Sequence, residues 1–312
     1  MKRLLKVWLL LAWLPAAFAQ NNELDYHLQA RALAPGVYVV EGANADFSPA
    51  NGCNIINTGF IVSEAGVLVI NAGPSRRYGE QLRALIGRTT RQPVLKLVLL
   101  NQHPDYFLGS QAFADVPRLA TASTRAAMAA NAGSYESNLY RLCGEWMKGT
   151  ETLLPDGPIT SGTQQLGRRE IELLELGGHT DSDLVLIDRS AGVVFAGGLV
   201  FSQRVPTTPH ADLPAWSRSL KTLAALPYPQ WVPSHGSVEA ARDGAAIAMT
   251  QHYLAWLDQR FRRAAEQGLD MVELLRQPAP EEFRRWAAFE TEYIRNVAHL
   301  YPRYEQAVLK AR

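Results

Sequence analysis

Three short loops carry the residues best suited to chemistry: Asn101-Gln102-His103-Pro104-Asp105-Tyr106, Gly177-Gly178-His179-Thr180 and Pro233-Ser234-His235-Gly236. Each follows an apolar run. Neutral imidazole is the commonest protein metal ligand because it offers a lone pair without charge compensation. Asp105 stands two residues from His103, a spacing that points both side chains the same way in an extended loop. Taken singly, each histidine reads as a structural hydrogen-bonding residue. Ligand sites in α/β sheets gather beyond the carboxyl ends of strands, so three of the seven histidines at strand ends read together as one site. Thr180 and Ser234 are either partners that orient the imidazoles or turn hydroxyls that bond the backbone. Asp181 and His210 are further donors for which a structural role is the simpler reading.

The elements that must position these loops come in two rounds. Residues 36–42 read as a strand, and 57–73 as two apolar runs around Glu64-Ala65-Gly66, a hairpin signal. Tyr78, Leu82, Leu85 and Ile86 share helical spacing within 74–90, and 94–100 reads as a strand buried on both faces. Residues 123–149 hold two helical patterns separated by Gly133 and Ser134. The second round has an alternating strand at 169–176, an apolar pair at 183–189 and 192–198, a helix at 214–226 and a short apolar run at 230–236. From 239 onward the pattern is helical, with a final helix over roughly 281–310. Trp146, Trp216, Trp231, Trp256 and Trp286 fall within these patterns and are assigned to the core.

The chain opens with a basic stretch, an apolar run at 7–14 and Ala17-Phe18-Ala19 before Gln20, the pattern of a cleaved signal peptide at residues 1–19. The apolar run is shorter than the ~20 residues that span a bilayer. The expected product is periplasmic or secreted, with no stable membrane anchor after cleavage. Removing residues 1–19 takes three of the 31 basic residues and none of the 30 acidic ones, leaving a formal charge of −2. That lacks the basic footprint of a nucleic-acid binder. Cys53 and Cys143 make no metal-ligand pattern, and an oxidising compartment permits either a bridge or two free thiols.

The sequence resembles the metallo-β-lactamase fold superfamily, whose loops read His-x-His-x-Asp-His, then Gly-His-Thr, then Gly-Asp before a hydrophobic pair, then a late His-Gly. Within it the chain is similar to the quinoprotein relay system zinc metallohydrolases, exported proteins related to a sulfur-oxidation-cluster hydrolase. The matching stretches are NTGFIVSEAGVLVINAGPSRRYGE, HPDYFLGSQAFADVP, NLYRLCGEWMKGTE, GGHTDSDLVLID, VFAGGLVFSQRVPTTPHADL and VAHLYP, spread over about 57–302. The resemblance implies an α/β (α+β) fold, a four-layer αββα sandwich with a C-terminal helical extension. It divides the chain into a signal peptide (1–19), a metallo-β-lactamase-like domain (20–245) and helices packed on it (246–312). It also implies a zinc hydrolase whose metal-activated water attacks an ester, thioester or amide-type bond of a small molecule. Its implied partner is a periplasmic quinoprotein dehydrogenase system.

Position by position the chain departs from that pattern. His103, Asp105, His179 and His235 match metal ligands, whereas Asn101 and Tyr106 stand at two histidine positions and Gly198 at the bridging aspartate. The resemblance groups Asn101, His103 and His179 around one metal, and Asp105, Tyr106 and His235 around the other. Each half then keeps two good donors, where a catalytic zinc normally has three protein ligands and an open position. One zinc ion or none is therefore expected, shared in the first case by His103, Asp105, His179 and His235. Asp105 would ligate and orient the water. Tyr106 is either a donor to a substrate oxyanion or a filler of the volume vacated by histidine and metal. The alternative to a reduced, mononuclear hydrolase is an inactive relative that acts as a periplasmic binding or accessory protein.

Overall fold

The computed structural model describes residues 24–311, so the expected signal peptide at 1–19 lies outside the described residues. β-branched and apolar runs build two large sheets, beside a small one of Phe201–Ser202 and His235–Gly236. The first has seven strands in sequence order: Arg31–Ala34, Val37–Val40, Thr58–Ser63, Gly66–Ile70, Val94–Val98, Arg118–Ala120 and Gly157–Pro158. Its early strands form antiparallel hairpins, with Gly59 opposite Ile70, and its later ones run parallel, with Ile70 beside Val98. The second sheet has the order Gln230–Val232, Val193–Phe195, Asp183–Asp188, Arg169–Leu176 and Gly162–Leu166.

The two sheets face each other across a dry layer that includes Ile61, Leu68, Val98, Leu100, Leu184, Leu186 and Phe195. The outer face of the first sheet is covered by helix Arg76–Thr89, which turns Tyr78, Leu82, Leu85 and Ile86 inward as their spacing requires. Ser75 caps that helix by accepting from Tyr78 N, a contact worth about 1 kcal/mol. The outer face of the second sheet is covered by helices Leu213–Ala224, Ala245–Glu266 and Phe289–Ala311, with Trp216, Leu220, Tyr253, Leu257 and Val297 in the shared core. This is the expected αββα sandwich with C-terminal helices.

Several local expectations need correction. Strand Val94–Val98 is buried at its carboxyl end, but Leu95 is exposed and Lys96 half-buried, so only the end that feeds the site has both faces covered. Residues 122–143 form one continuous helix through Gly133 and Ser134. A glycine there costs about 1 kcal/mol relative to alanine, which the rest of the helix offsets. The final helical stretch is broken into Glu281–Arg284 and Phe289–Ala311, with Ala288 at a positive φ between them. The chain before residue 36 also forms an edge strand, Arg31–Ala34, which no sequence pattern announced. Cys53 and Cys143 form a disulfide, which ties the end of helix Ala122–Cys143 to the loop before Thr58–Ser63. Among the described residues no helix is long and apolar enough to cross a membrane.

Candidate functional site

The three histidine loops converge at one edge of the sandwich. Strand Val94–Val98 runs into Asn101, after which Pro104 starts the one-turn helix Pro104–Phe107, where its fixed φ is already helical. His103 is the extended residue before that turn and Asp105 lies inside it, so the two do not share a face by strand alternation. His103 turns to His179, their rings perpendicular with centroids 4.7 Å apart. Asp105 turns to His235, with Oδ2 2.8 Å from Nε2. The four matching residues therefore come together as two pairs.

Gly178, at φ +130, lets the His179 loop lie against the backbone of Trp216, where a Cβ would have no room. The Trp216 and His179 ring centroids are 5.0 Å apart. Strand His235–Gly236 pairs with Phe201–Ser202, which stacks Phe201 on His235 with centroids 5.1 Å apart. Asn101, His103, Asp105, Tyr106, His179 and His235 are all buried.

Burial pushes the His103 imidazole well below its ordinary range, and the mutual repulsion it would feel on protonation beside His179 and His210 adds to this. Burial likewise pushes His235 down to about 4, against the opposing pull of the Asp105 hydrogen bond and charge. His235 is thus neutral at pH 7, and it donates Nε2–H to the Asp105 carboxylate while Ser234 Oγ stands 2.9 Å from Nδ1. Burial and the Asp105 charge raise Tyr106 well above its usual value, so its hydroxyl keeps its proton. That hydroxyl makes no hydrogen bond that satisfies ordinary geometry. Nearby Ser234 Oγ is instead 3.0 Å from the Val200 carbonyl, to which it can donate.

Two of the three departures from the ligand pattern, Asn101 and Gly198, meet at one point. Asn101 Oδ1 accepts from His103 N at 2.9 Å, and its Nδ2 donates to Asp183 Oδ1 at 2.5 Å. Asp183 Oδ2 accepts from Thr180 N at 2.9 Å, and Oδ1 lies 3.3 Å from His179 Nδ1. A Cβ at Gly198 would run into His179 Nδ1 and stand 2.6 Å from Asp183 Oδ1 and 2.8 Å from Asn101 Nδ2. No bridging side chain can occupy that position in this packing.

Around this inner layer lies an outer one. His210 sits 5.5 Å from His103 between ring centroids, and its Nε2 is 3.5 Å from the Tyr135 hydroxyl. The C-terminal helix pins the loop that carries His210: Asn296 Oδ1 accepts from Thr208 Oγ1 at 2.8 Å, and Arg303 donates to the Ala211 carbonyl at 2.8 Å. The same helix supplies His299, whose buried Nδ1 has no partner. Of the two acids in His179-Thr180-Asp181-Ser182-Asp183, Asp181 is exposed and Asp183 is the buried one that enters the site. Thr180 and Ser234 both orient site groups and serve as turn hydroxyls, since Thr180 Oγ1 accepts from Asn101 at 3.3 Å and donates to the Ser182 carbonyl at 2.9 Å.

As arranged, these residues do not fit the two-zinc centre of the ligand pattern. Both polar atoms of the Asn101 amide are engaged, Tyr106 stays protonated, position 198 has no room for a side chain, and His235 Nε2 is given to Asp105. Among the described residues no group of three or more His, Cys, Asp or Glu is set to hold a metal ion. What remains is a pair of imidazole nitrogens, His103 Nε2 and His179 Nε2, buried and without partners.

The sandwich and its edge site define a metallo-β-lactamase-type protein. The metallo-beta-lactamase superfamily model matches residues 51–235, well over half of the chain, and the chain belongs to that superfamily of hydrolase fold. Among solved structures it is similar to a metallo-beta-lactamase from Pontibacter korlensis, at 23% identity and TM-score 0.59 over 73% of this chain and 99% of that one. It is also similar to the metallo beta lactamase from Hirschia baltica, at 17% identity and TM-score 0.57 over 73% and 97%. A third is FIM-1 from Pseudomonas aeruginosa, solved in its mono-zinc form, at 17% identity and TM-score 0.57 over 73% and 95%. These likenesses show the fold. No curated protein matches.

Proposed function

We propose that this chain is an exported accessory protein of the metallo-β-lactamase fold, working beside periplasmic quinoprotein dehydrogenase systems, in which the old catalytic pocket binds a small molecule. The observation that carries this reading is the closure of the ligand set upon itself. Asp105 takes His235, Asp183 takes Asn101, and both contacts bury groups that the hydrolytic reaction would need free. Export and the dehydrogenase partner rest on the N-terminal sequence pattern and on the family resemblance.

A second reading, a hydrolase with one zinc ion, is favoured by the unpartnered nitrogens of His103 and His179. FIM-1, of the same fold, has been solved with one zinc. The deciding experiment is the metal content of the mature protein purified from the periplasm without chelator, beside His103→Ala and His179→Ala. The accessory reading expects no stoichiometric metal and two variants that fold. About one tightly held zinc per chain, lost in both variants, would overturn it in favour of the mononuclear hydrolase.

A further inference from the structure

The ligand losses at Asn101 and Gly198 look independent in sequence, yet in space they share one neighbour. Asp183 lies four residues after His179 and is fully buried. Its Oδ1 faces both Asn101 Nδ2 and His179 Nδ1, and that oxygen stands where a side chain at 198 would begin. We infer that Asn101, Asp183 and Gly198 form one interlocked replacement for the missing ligands, in which Asp183 is the positioning residue that holds His179 with a bare, buried Nε2.

Donors and acceptors around His179 fix where its ring proton sits. Asn101 Oδ1 is fixed by His103 N, so the Nδ2 group faces Asp183 Oδ1 as a donor. Thr180 N supplies a second donor to the carboxylate. Around His179 Nδ1, Asp183 is the hydrogen-bond acceptor and charged, so the proton of the neutral ring belongs on Nδ1. The other nitrogen, Nε2, is then a buried lone pair with no partner, on a ring whose centroid is 4.7 Å from that of His103. A lone pair in that position accepts a hydrogen bond from a hydroxyl or ammonium group of a small ligand. This last assignment, of what meets Nε2, rests on the metal-free reading above, whereas the role of Asp183 does not.

The test uses the full mature chain labelled with ¹⁵N-histidine, and reads the His179 tautomer from long-range ¹H–¹⁵N couplings. The wild type should show the proton on Nδ1. Asp183→Ala should move His179 toward the Nε2–H form or a mixture while the signals of exposed His27 and His252 stay in place. Asp183→Asn, which keeps the volume, gives the same readout if the alanine variant fails to fold. Gly198→Asp should gain no zinc in a Zn²⁺ titration and lower Tm by several degrees, because its Cβ enters filled space. Adding Asp183→Ala should recover part of that loss, since neighbours in one packed cluster are coupled. A wild-type His179 protonated on Nε2, or a Gly198→Asp variant that keeps its Tm and takes up zinc, overturns the inference. Zinc uptake by the wild type with the Nδ1–H signature intact would instead sink the metal-free reading and support the role of Asp183.

Discussion

Asp105 and His235, 130 residues apart in the chain, are joined by a 2.8 Å hydrogen bond in the buried core of the site. In a working two-metal centre both would turn to the same metal ion, and each would be free to release the other. Here the contact is a structural link between the first and last motif loops. Removing one partner strands the other among Phe201, Tyr106 and Ser234. Asp105→Ala should therefore cost about 2–3 kcal/mol, the scale for a buried hydrogen bond to a charged group. Urea unfolding at pH 7 without added metal checks this. An unchanged midpoint would mean that the pair contributes nothing to the fold and is held for another purpose.

The Tyr106 hydroxyl makes the opposite prediction. It is buried, protonated and without a satisfactory partner, so it contributes an uncompensated desolvation cost of about 1–3 kcal/mol. Tyr106→Phe should leave Tm unchanged or raise it. A clear fall in Tm would show that the hydroxyl has a partner, and would favour the role of donor to a bound oxyanion over that of a filler.

The fold was legible in the sequence wherever a strand was long and β-branched. Residues 57–73 carry two apolar runs around a turn, enough to name the first hairpin, and 183–198 show a second apolar pair. The short strands Arg118–Ala120, Gly157–Pro158 and Gly162–Leu166 were not legible, because two to five residues hold no period of their own. Helix Ala122–Cys143 runs unbroken through Gly133 and Ser134, because the continuous helix formers around them outweigh the local breaker signal. In the site, the convergence of the histidine loops followed from strand-end logic. Asp183 was missed because it lies inside a strand, where a buried carboxylate is the exception. The approach of His210 and His299 depends on how the C-terminal helix docks, which no local pattern encodes.

The depressed imidazoles set a pH dependence. His103 and His235 both titrate in the folded chain below the ordinary value of 6.5, His235 near 4. Between those values the unfolded chain binds the extra protons, so folded stability is full above about pH 6.5 and falls as pH drops toward 4. A Tm series from pH 8 to pH 4 should be flat down to about 6.5 and then decline. His103→Gln should shallow that decline, as one of the two groups that must charge has been removed. A decline that begins only below pH 4 would mean that neither imidazole is held neutral by the fold.

The disulfide makes a prediction about the wall of the site. Helix Ala122–Cys143 buries only Thr124, Met128, Leu139 and Cys143 along its 22 residues, so little apolar contact holds it. It nonetheless carries Tyr135, which meets both Phe107 of the motif turn and His210 of the outer layer. The Cys53–Cys143 bridge closes a loop with a sequence separation of 90, and native bridges closing loops of that size typically contribute about 2–5 kcal/mol. The double variant Cys53→Ser, Cys143→Ser should lose stability on that scale. Its amide exchange should rise first along residues 122–143, ahead of the central strands, since that helix buries few side chains. Hydrogen exchange read by mass spectrometry separates the outcomes. Protection lost evenly across the chain would mean that the bridge stabilises the whole domain and leaves the Tyr135 wall no looser than the rest.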